Sequence, residues 1–336
     1  MSRPTITVAI PAYNASASIV ACVRSALAAL DEAKVSGEVI VCDDASTDTT
    51  TDLVRSLMTQ DSRVHLIPHA VNLGRAENVG FALESGTGEW VALLPADCTV
   101  PPSSVRDRLN LAGAADLVFG HVDHVDLEGQ VVARHRPFDG GWVERAPLSV
   151  RRFLPVNPAY MSATIIRRSA YQKAGGFRLH VSFSHRDWDL LLRVASIGPV
   201  AYVPTVVSLE GFRSENATEA LRRSDRIART EADIVLAFDE WCREQRKDDL
   251  VEVAEWGRRR WARRQLVRSI ALRAGVRPGD PDAAVDLAAQ VWPSSHRSAV
   301  GLLARIAGRF PLLVRNGLSK RIMEAVAPPP KGPQSR

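Results

Sequence analysis

A chain of 336 residues, 46% hydrophobic and 24% charged, has the composition of an ordinary globular protein, long enough for one large core and a smaller appendage. Cys22, Cys42, Cys98 and Cys242 lie scattered without metal-ligand or redox spacing, which excludes a disulfide framework and points to a reducing cytoplasm. Residues 1–16 lack a charged start followed by an apolar run, and no stretch nears the roughly 18 apolar residues of a membrane span, so neither a signal peptide nor a span is expected.

The net charge of +5 is unevenly spread. Residues 1–210 carry 19 Lys and Arg against 22 Asp and Glu, whereas residues 211–336 carry 24 against 16. The texture changes at the same place, which sets an expected boundary near Phe212 to Ala220.

In the front part, Thr5 to Ile10 reads as an apolar strand and Ser16 to Leu30 as a helix. A second strand follows over Glu38 to Cys42, then a helix over Asp48 to Met58 with Ser46 and Thr47 as capping candidates. Val64 to Ile67 is a short strand before the turn at Pro68, Asn78 to Ser85 a helix ending in Gly86 and Gly88, and Trp90 to Leu94 a buried strand. Ser162 to Arg168 reads as a strand, Ser169 to Lys173 as a short helix, and Arg186 opens an amphipathic helix. Strands alternating with helices of this length predict an α/β fold with a mostly parallel, doubly wound sheet. From Ser224 the chain reads as successive helices, and Pro328 to Arg336 has the composition of a disordered end.

Three strands end in polar residues, at VAIPAYN (Val8 to Asn14), VIVCDDASTD (Val39 to Asp48) and GEWVALLPADC (Gly88 to Cys98). In an open α/β sheet the ligand crevice lies beyond the carboxyl ends of the strands, so these ends should converge. Pro11 cannot donate to a ladder, so it is expected to end its strand and turn Ala12, Tyr13 and Asn14 toward the crevice, where an aromatic ring could lie against a base. The bland alternative is a turn with Tyr13 at a core edge. Asp43 and Asp44 either accept hydrogen bonds from a base or cap the helix that follows.

The order and wording of these blocks resemble the family 2 glycosyltransferases, inverting enzymes of the GT-A fold, over roughly residues 5 to 215. The resemblance implies a nucleotide-diphosphate sugar donor, held by Pro11, Ala12, Tyr13 and Asn14 and by Asp44 as the base reader. It implies Mg²⁺ or Mn²⁺ at Asp97, the last acid of an Asp-Xaa-Asp motif whose first positions here read Pro95 and Ala96. Asn72 to Asn78 is similar to a family loop, which places Arg75 and Asn78 on the nucleotide. Gly175-Gly176-Phe177 followed by Arg186-Asp187-Trp188-Asp189 is similar to the family's catalytic succession, and Asp187 maps onto the general base that deprotonates an acceptor hydroxyl. His185 is a secondary candidate, and Glu215 stands where the family's downstream His would be.

The basic tail around Trp256 to Arg264 and Arg297 to Met323 allows contact with an anionic membrane, nucleic-acid binding, or packing with long Arg stems over apolar surface. Packing is preferred, including a homodimer through the C-terminal helices. Peripheral contact at the inner membrane face comes second, and nucleic acid is not an expected partner. The expected organisation is a GT-A catalytic domain over 1–215, split into a nucleotide-sugar half (1–100) and an acceptor half (101–215), then a helical region over 216–327 and a tail over 328–336. The acceptor is expected to be a saccharide, a lipid-linked sugar or a small molecule. The competing readings are an impaired sugar-nucleotide-binding or scaffold homologue, supported by Pro95, and a nucleotidyltransferase, which would want a Gly-rich basic loop where PAYN stands.

Overall fold

The computed structural model describes residues 5–181, 185–211, 226–273, 280–298 and 300–304. The chain divides into two compact units. Met1–Phe153 and Asn157–Ser214 form the first; Leu154–Val156 and Glu215–Arg336 form the second. The expected boundary at Phe212 to Ala220 and the tail at Pro328 to Arg336 lie outside the described residues.

In the first unit the order is β1 (Ile6–Ala12), α1 (Ile19–Ala33), β2 (Gly37–Asp43), α2 (Thr50–Gln60), β3 (Val64–Pro68), α3 (Arg75–Glu84), β4 (Trp90–Leu93), β5 (Cys98–Thr99), α4 (Ser104–Leu109), β6 (Leu117–Val125), β7 (Val131–His135), β8 (Trp142–Glu144), α5 (Leu148–Phe153), β9 (Thr164–Arg167), α6 (Arg168–Lys173), α7 (Arg186–Ala195) and β10 (Val200–Gly211). The main path across the sheet is β3-β2-β1-β4-β9-β6-β10-β5, with β7 on β6 and β8 on β10. The β3-β2-β1-β4 block is parallel, as the alternation of strands and helices predicts. Beyond it, β9 runs antiparallel to both β4 and β6, while β10 is parallel to β6. It follows that β1, β2, β4, β6 and β10 all point the same way and end at one edge of the sheet.

The first strands are apolar on both faces because helices cover both. Ile6, Val8 and Ile10 of β1 join Val39 and Val41 of β2, Trp90 of β4 and Ile19, Val23 and Ala26 of α1 in one buried cluster. Gly88 lets β4 enter beside β1. A Cβ there would stand 2.4 Å from the Thr7 nitrogen and 2.7 Å from the Ile6 carbonyl carbon.

Several boundaries differ from the sequence reading, each for a local reason. β1 does not stop at Pro11 but continues to Ala12, paired with Cys42 and Asp43. Pro11 has the parity of Ala9, whose carbonyl faces β4, and the β1–β4 register has already ended at Ala9 and Leu93. The missing N–H therefore leaves no ladder bond unmade. Ala15 and Ser16 do not start α1, because their N–H groups donate to Thr50 Oγ1 (2.8 Å) and Asp48 Oδ2 (3.1 Å). Ser46 and Thr47 do not cap α2; Asp48 accepts from the Thr50 hydroxyl and N–H (2.9 Å) instead, and these hydrogen bonds, the hydroxyl's above all, hold its carboxyl well below the usual range. A 3₁₀ turn, Met161–Ala163, occupies the start of the strand expected from Ser162, so β9 begins at Thr164. α3 starts at Arg75, three residues before the expected start, because Gly74 (φ 92°) supplies the backbone break before it.

The second unit comprises α8 (Arg226–Glu244), α9 (Asp248–Arg273), α10 (Pro281–Val291) and the short 3₁₀ segment Pro293–Arg297. Asp280 caps α10, accepting from the Asp282 and Ala283 N–H groups, with Pro281 in the first turn. In α9 the buried positions recur as Val253, Ala254, Gly257, Trp261, Ala262, Gln265, Leu266, Ser269 and Ile270, a helical stripe facing the unit's interior. Trp261 is fully buried and its indole N–H donates to Glu231 Oε2 at 3.0 Å. The interleaved tryptophan is thus core. Arg259, Arg260, Arg263 and Arg264 form the exposed stripe; Arg259 pairs with Glu255, Arg260 lies over Trp256, and Arg264 reaches Glu231 at 3.5 Å. No helix among the described residues is long and apolar enough to cross a membrane.

Candidate functional site

The common strand direction brings the polar ends to one edge. Tyr13 and Asn14 follow β1, Asp43 and Asp44 sit at the end of β2, Asp97 follows β4, His124 is near the end of β6, and Glu210 is near the end of β10. Because β9 is antiparallel, its beginning lies at this edge too, which brings Ser162 there.

The loops that follow β1 and β2 are clasped together. Asn14 adopts φ 46°, a left-handed conformation Asn tolerates; its N–H donates to Ser46 Oγ (2.9 Å), and its side-chain oxygen accepts from the Thr47 N–H (2.9 Å). Tyr13 is left 52% exposed beside this clasp, free to offer a ring face. Ala12, expected on the nucleotide, is buried, and its carbonyl accepts from the Asp44 N–H at 2.8 Å. Asn78 is likewise committed to the scaffold: 3% exposed, it donates to the Cys42 carbonyl at 3.0 Å and meets His69 Nε2 at 3.2 Å. Asp44 is buried, and its two oxygens accept the Leu73 (2.7 Å) and Gly74 (3.0 Å) N–H groups. It anchors the loop from which α3 and Arg75 start, and only lone pairs not taken by that loop remain for a base. Asp43 accepts from Ser46.

The acid expected to act as the base is Asp187. It occupies the first turn of α7, behind His185, and Asn157 Nδ2 stands 3.5 Å from its Oδ2. Burial pushes its carboxyl up, against the lowering influence of His185, of nearby backbone N–H groups and of Arg75. Asp189, two residues on, is no surface acid. It is fully buried and accepts from Arg178 (Nε at 3.0 Å) and Arg193 (Nη2 at 2.7 Å), whose guanidinium also donates to the carbonyls of Ala174 and Gly176. Gly175 and Gly176 (φ 81° and 65°) make the turn that offers those carbonyls. The Gly-Gly-Phe segment therefore locks α7, and hence Asp187, in place.

Glu210 was not singled out by the sequence. Burial pushes its carboxyl up, and so do Asp97 and Asp187, while Arg75 opposes them. Asp97, Asp187 and Arg75 thus all lie within electrostatic reach of Glu210. Asp97 itself is exposed and its Oδ1 stands 3.7 Å from the Cys98 thiol. Among the described residues, no three His, Cys, Asp or Glu side chains gather closely enough to hold a metal by themselves. An open cleft of about 430 Å³ beside Trp142, Tyr202 and Pro204 lies toward the other end of β10 and contains none of these acids. The downstream segment Phe212 to Glu215 lies outside the described residues.

A parallel α/β block extended by antiparallel strands, with acids at its carboxyl edge, has the layout of a GT-A-type scaffold. Solved structures agree: residues 1–349 of TarS from S. aureus, in complex with UDP, match with a TM-score of 0.60 at 15% identity, covering 96% of this chain and 92% of that one. Residues 7–175 match Glycosyl transferase family 2, and the chain belongs to that family. The succinoglycan biosynthesis protein ExoO of Rhizobium meliloti is 33% identical over 162 residues, 47% of this chain and 44% of that protein. A chondroitin synthase of Escherichia coli is 26% identical over 223 residues, 64% of this chain and 30% of that protein. The chain thus spans less than half the length of either relative.

Proposed function

We propose that the protein transfers a sugar from a nucleotide-diphosphate sugar to an acceptor hydroxyl with inversion at the anomeric carbon. The observation that carries the proposal is the place of Asp187 in the first turn of a helix locked through Asp189, Arg178 and Arg193, where burial pushes its carboxyl up and Arg75 is within electrostatic reach. In this reading Asp187 takes the proton of the acceptor hydroxyl as its oxygen attacks from the face opposite the leaving diphosphate. Arg75 offsets negative charge on the phosphates, and Tyr13 and Asn14 border the base, with Asp44 contributing its remaining lone pairs.

Asp97 offers a hard oxygen donor suited to Mg²⁺ or Mn²⁺, and with few protein ligands the donor phosphates and water must complete the shell. When bound, such an ion stabilises the charge of the leaving diphosphate. The acceptor class, a saccharide, a lipid-linked sugar or a small molecule, belongs to the 101–215 half. The exposed arginine stripe of α9 suits either subunit packing or the anionic inner face of a membrane. The test is Asp187→Asn: transfer falls about a hundred- to ten-thousand-fold while donor affinity stays near wild type. Transfer at the wild-type rate removes Asp187 from the mechanism.

Pro95 and Ala96 favour one second reading, a sugar-nucleotide-binding homologue without turnover. Donor hydrolysis in the presence of manganese separates the two.

A further inference from the structure

We infer that Glu210 is the second protein carboxylate of the cation site, taking the place of the acid that Pro95 lacks. The inference rests on the role proposed above for Asp97. Its basis is the register of two strands far apart in sequence. Glu210 lies directly opposite Cys98 in the antiparallel β5–β10 pair, so the two side chains share one face of the sheet. Asp97 curls onto that same face, with Oδ1 3.7 Å from the Cys98 thiol. The next residue of β10 keeps the strand close: a Cβ on Gly211 would stand 3.4 Å from the Asp97 carbonyl oxygen. Both carboxylates therefore flank Cys98.

The Glu210 side chain is also held as a ligand would be. Ser162 Oγ donates to Oε1 at 2.6 Å and fixes the carboxylate, the kind of supporting contact that orients a metal ligand. Oε2 faces His124 Nδ1 at 3.9 Å, beyond hydrogen-bond range. A mostly buried acid beside two others, Asp97 and Asp187, is an arrangement that a divalent cation would neutralise, with the exposed Arg75 and the imidazoles of His124 and His185 as the cationic or titratable groups facing them among the described residues. Two carboxylates, diphosphate oxygens and water make a reasonable oxygen shell for a small hard ion.

The experiment is Mn²⁺ titration by calorimetry and electron paramagnetic resonance, with UDP or GDP as the diphosphate probe. The full chain is compared with Glu210→Gln, Asp97→Asn and Glu210→Gln combined with Pro95→Asp. Gln keeps an acceptor for Ser162, and thermal melts verify folding. Glu210→Gln is expected to weaken nucleotide-dependent Mn²⁺ binding at least about tenfold, the lower end of what losing a supporting contact alone costs. Restoring an acid at position 95 is expected to recover part of that loss. Wild-type Mn²⁺ affinity in Glu210→Gln, with loss in Asp97→Asn, overturns the inference and leaves the Asp97 reading intact. Unchanged Mn²⁺ binding in both single variants overturns both.

Discussion

At the scale of the residue, Asp187 and Asp44 show how one side-chain type is given two jobs by its surroundings. Burial of Asp187 outweighs the lowering influence of His185, backbone N–H groups and Arg75, so its carboxyl is pushed up; Asp44 is buried but accepts two backbone N–H groups. Only an ionised Asp187 can take a proton, so kcat should rise with pH through a midpoint above the usual carboxylate value of about 3.9, and Asp187→Asn should lose that limb. The sign for stability is opposite. A carboxyl raised in the folded state binds more protons there than when unfolded, so its stabilising share is lost as pH rises through the folded pKa. Asp187→Asn should accordingly melt no lower than wild type at neutral pH, and a lower melting temperature would contradict the burial argument. Asp44→Ala removes the anchor of the Leu73–Gly74 loop. Calorimetry should show weaker donor binding, because Arg75 is no longer held.

At the scale of the element, α7 is positioned by charge pairing rather than by apolar contact alone. Asp189, Arg178 and Arg193 form a network in which Asp189 and Arg193 are fully buried. Removing one partner leaves a charge buried without its counter-ion, so Asp189→Ala should cost about 3–5 kcal/mol in denaturant unfolding and reduce turnover with the loss of α7's anchoring. A change below about 1 kcal/mol would mean that water replaces the lost carboxylate. Gly88→Ala tests the other key junction. Backbone, not a flexible side chain, meets the added Cβ, so the β1–β4 pair must part and about 1–3 kcal/mol should be lost. The existence of β1, β2 and β4 was legible, to within a residue or two at their ends, because an apolar run followed by Pro or Asp declares itself locally. Asp189 was not: it reads as an ordinary surface acid, and although Arg193 stands four residues on along the same helix, nothing in the sequence announces that Arg178 also reaches it or that the pair is buried.

At the scale of the whole molecule, the proposed donor and its cation bind the folded state and so must stabilise it. A panel of nucleotide sugars with Mn²⁺ should raise the melting temperature for the matching donor, by about 2.7 kcal/mol of stability at a hundred times its Kd. No shift with any nucleotide sugar would contradict the proposed binding. The sequence by itself determined the parallel block of strands, the polar strand ends, the family resemblance and the basic, helix-rich C-terminal region, because strand and helix periodicity and turn chemistry act over a few residues. Only the tertiary structure decided which groups at the strand ends are used in the scaffold's own hydrogen bonds. It committed Ala12 and Asn78 to the scaffold, since their groups complete hydrogen bonds across β1, β2 and α3. It also brought Glu210 beside Asp97, because that proximity comes from the pairing of β5 with β10, and register between distant strands is set by the packing of the whole sheet.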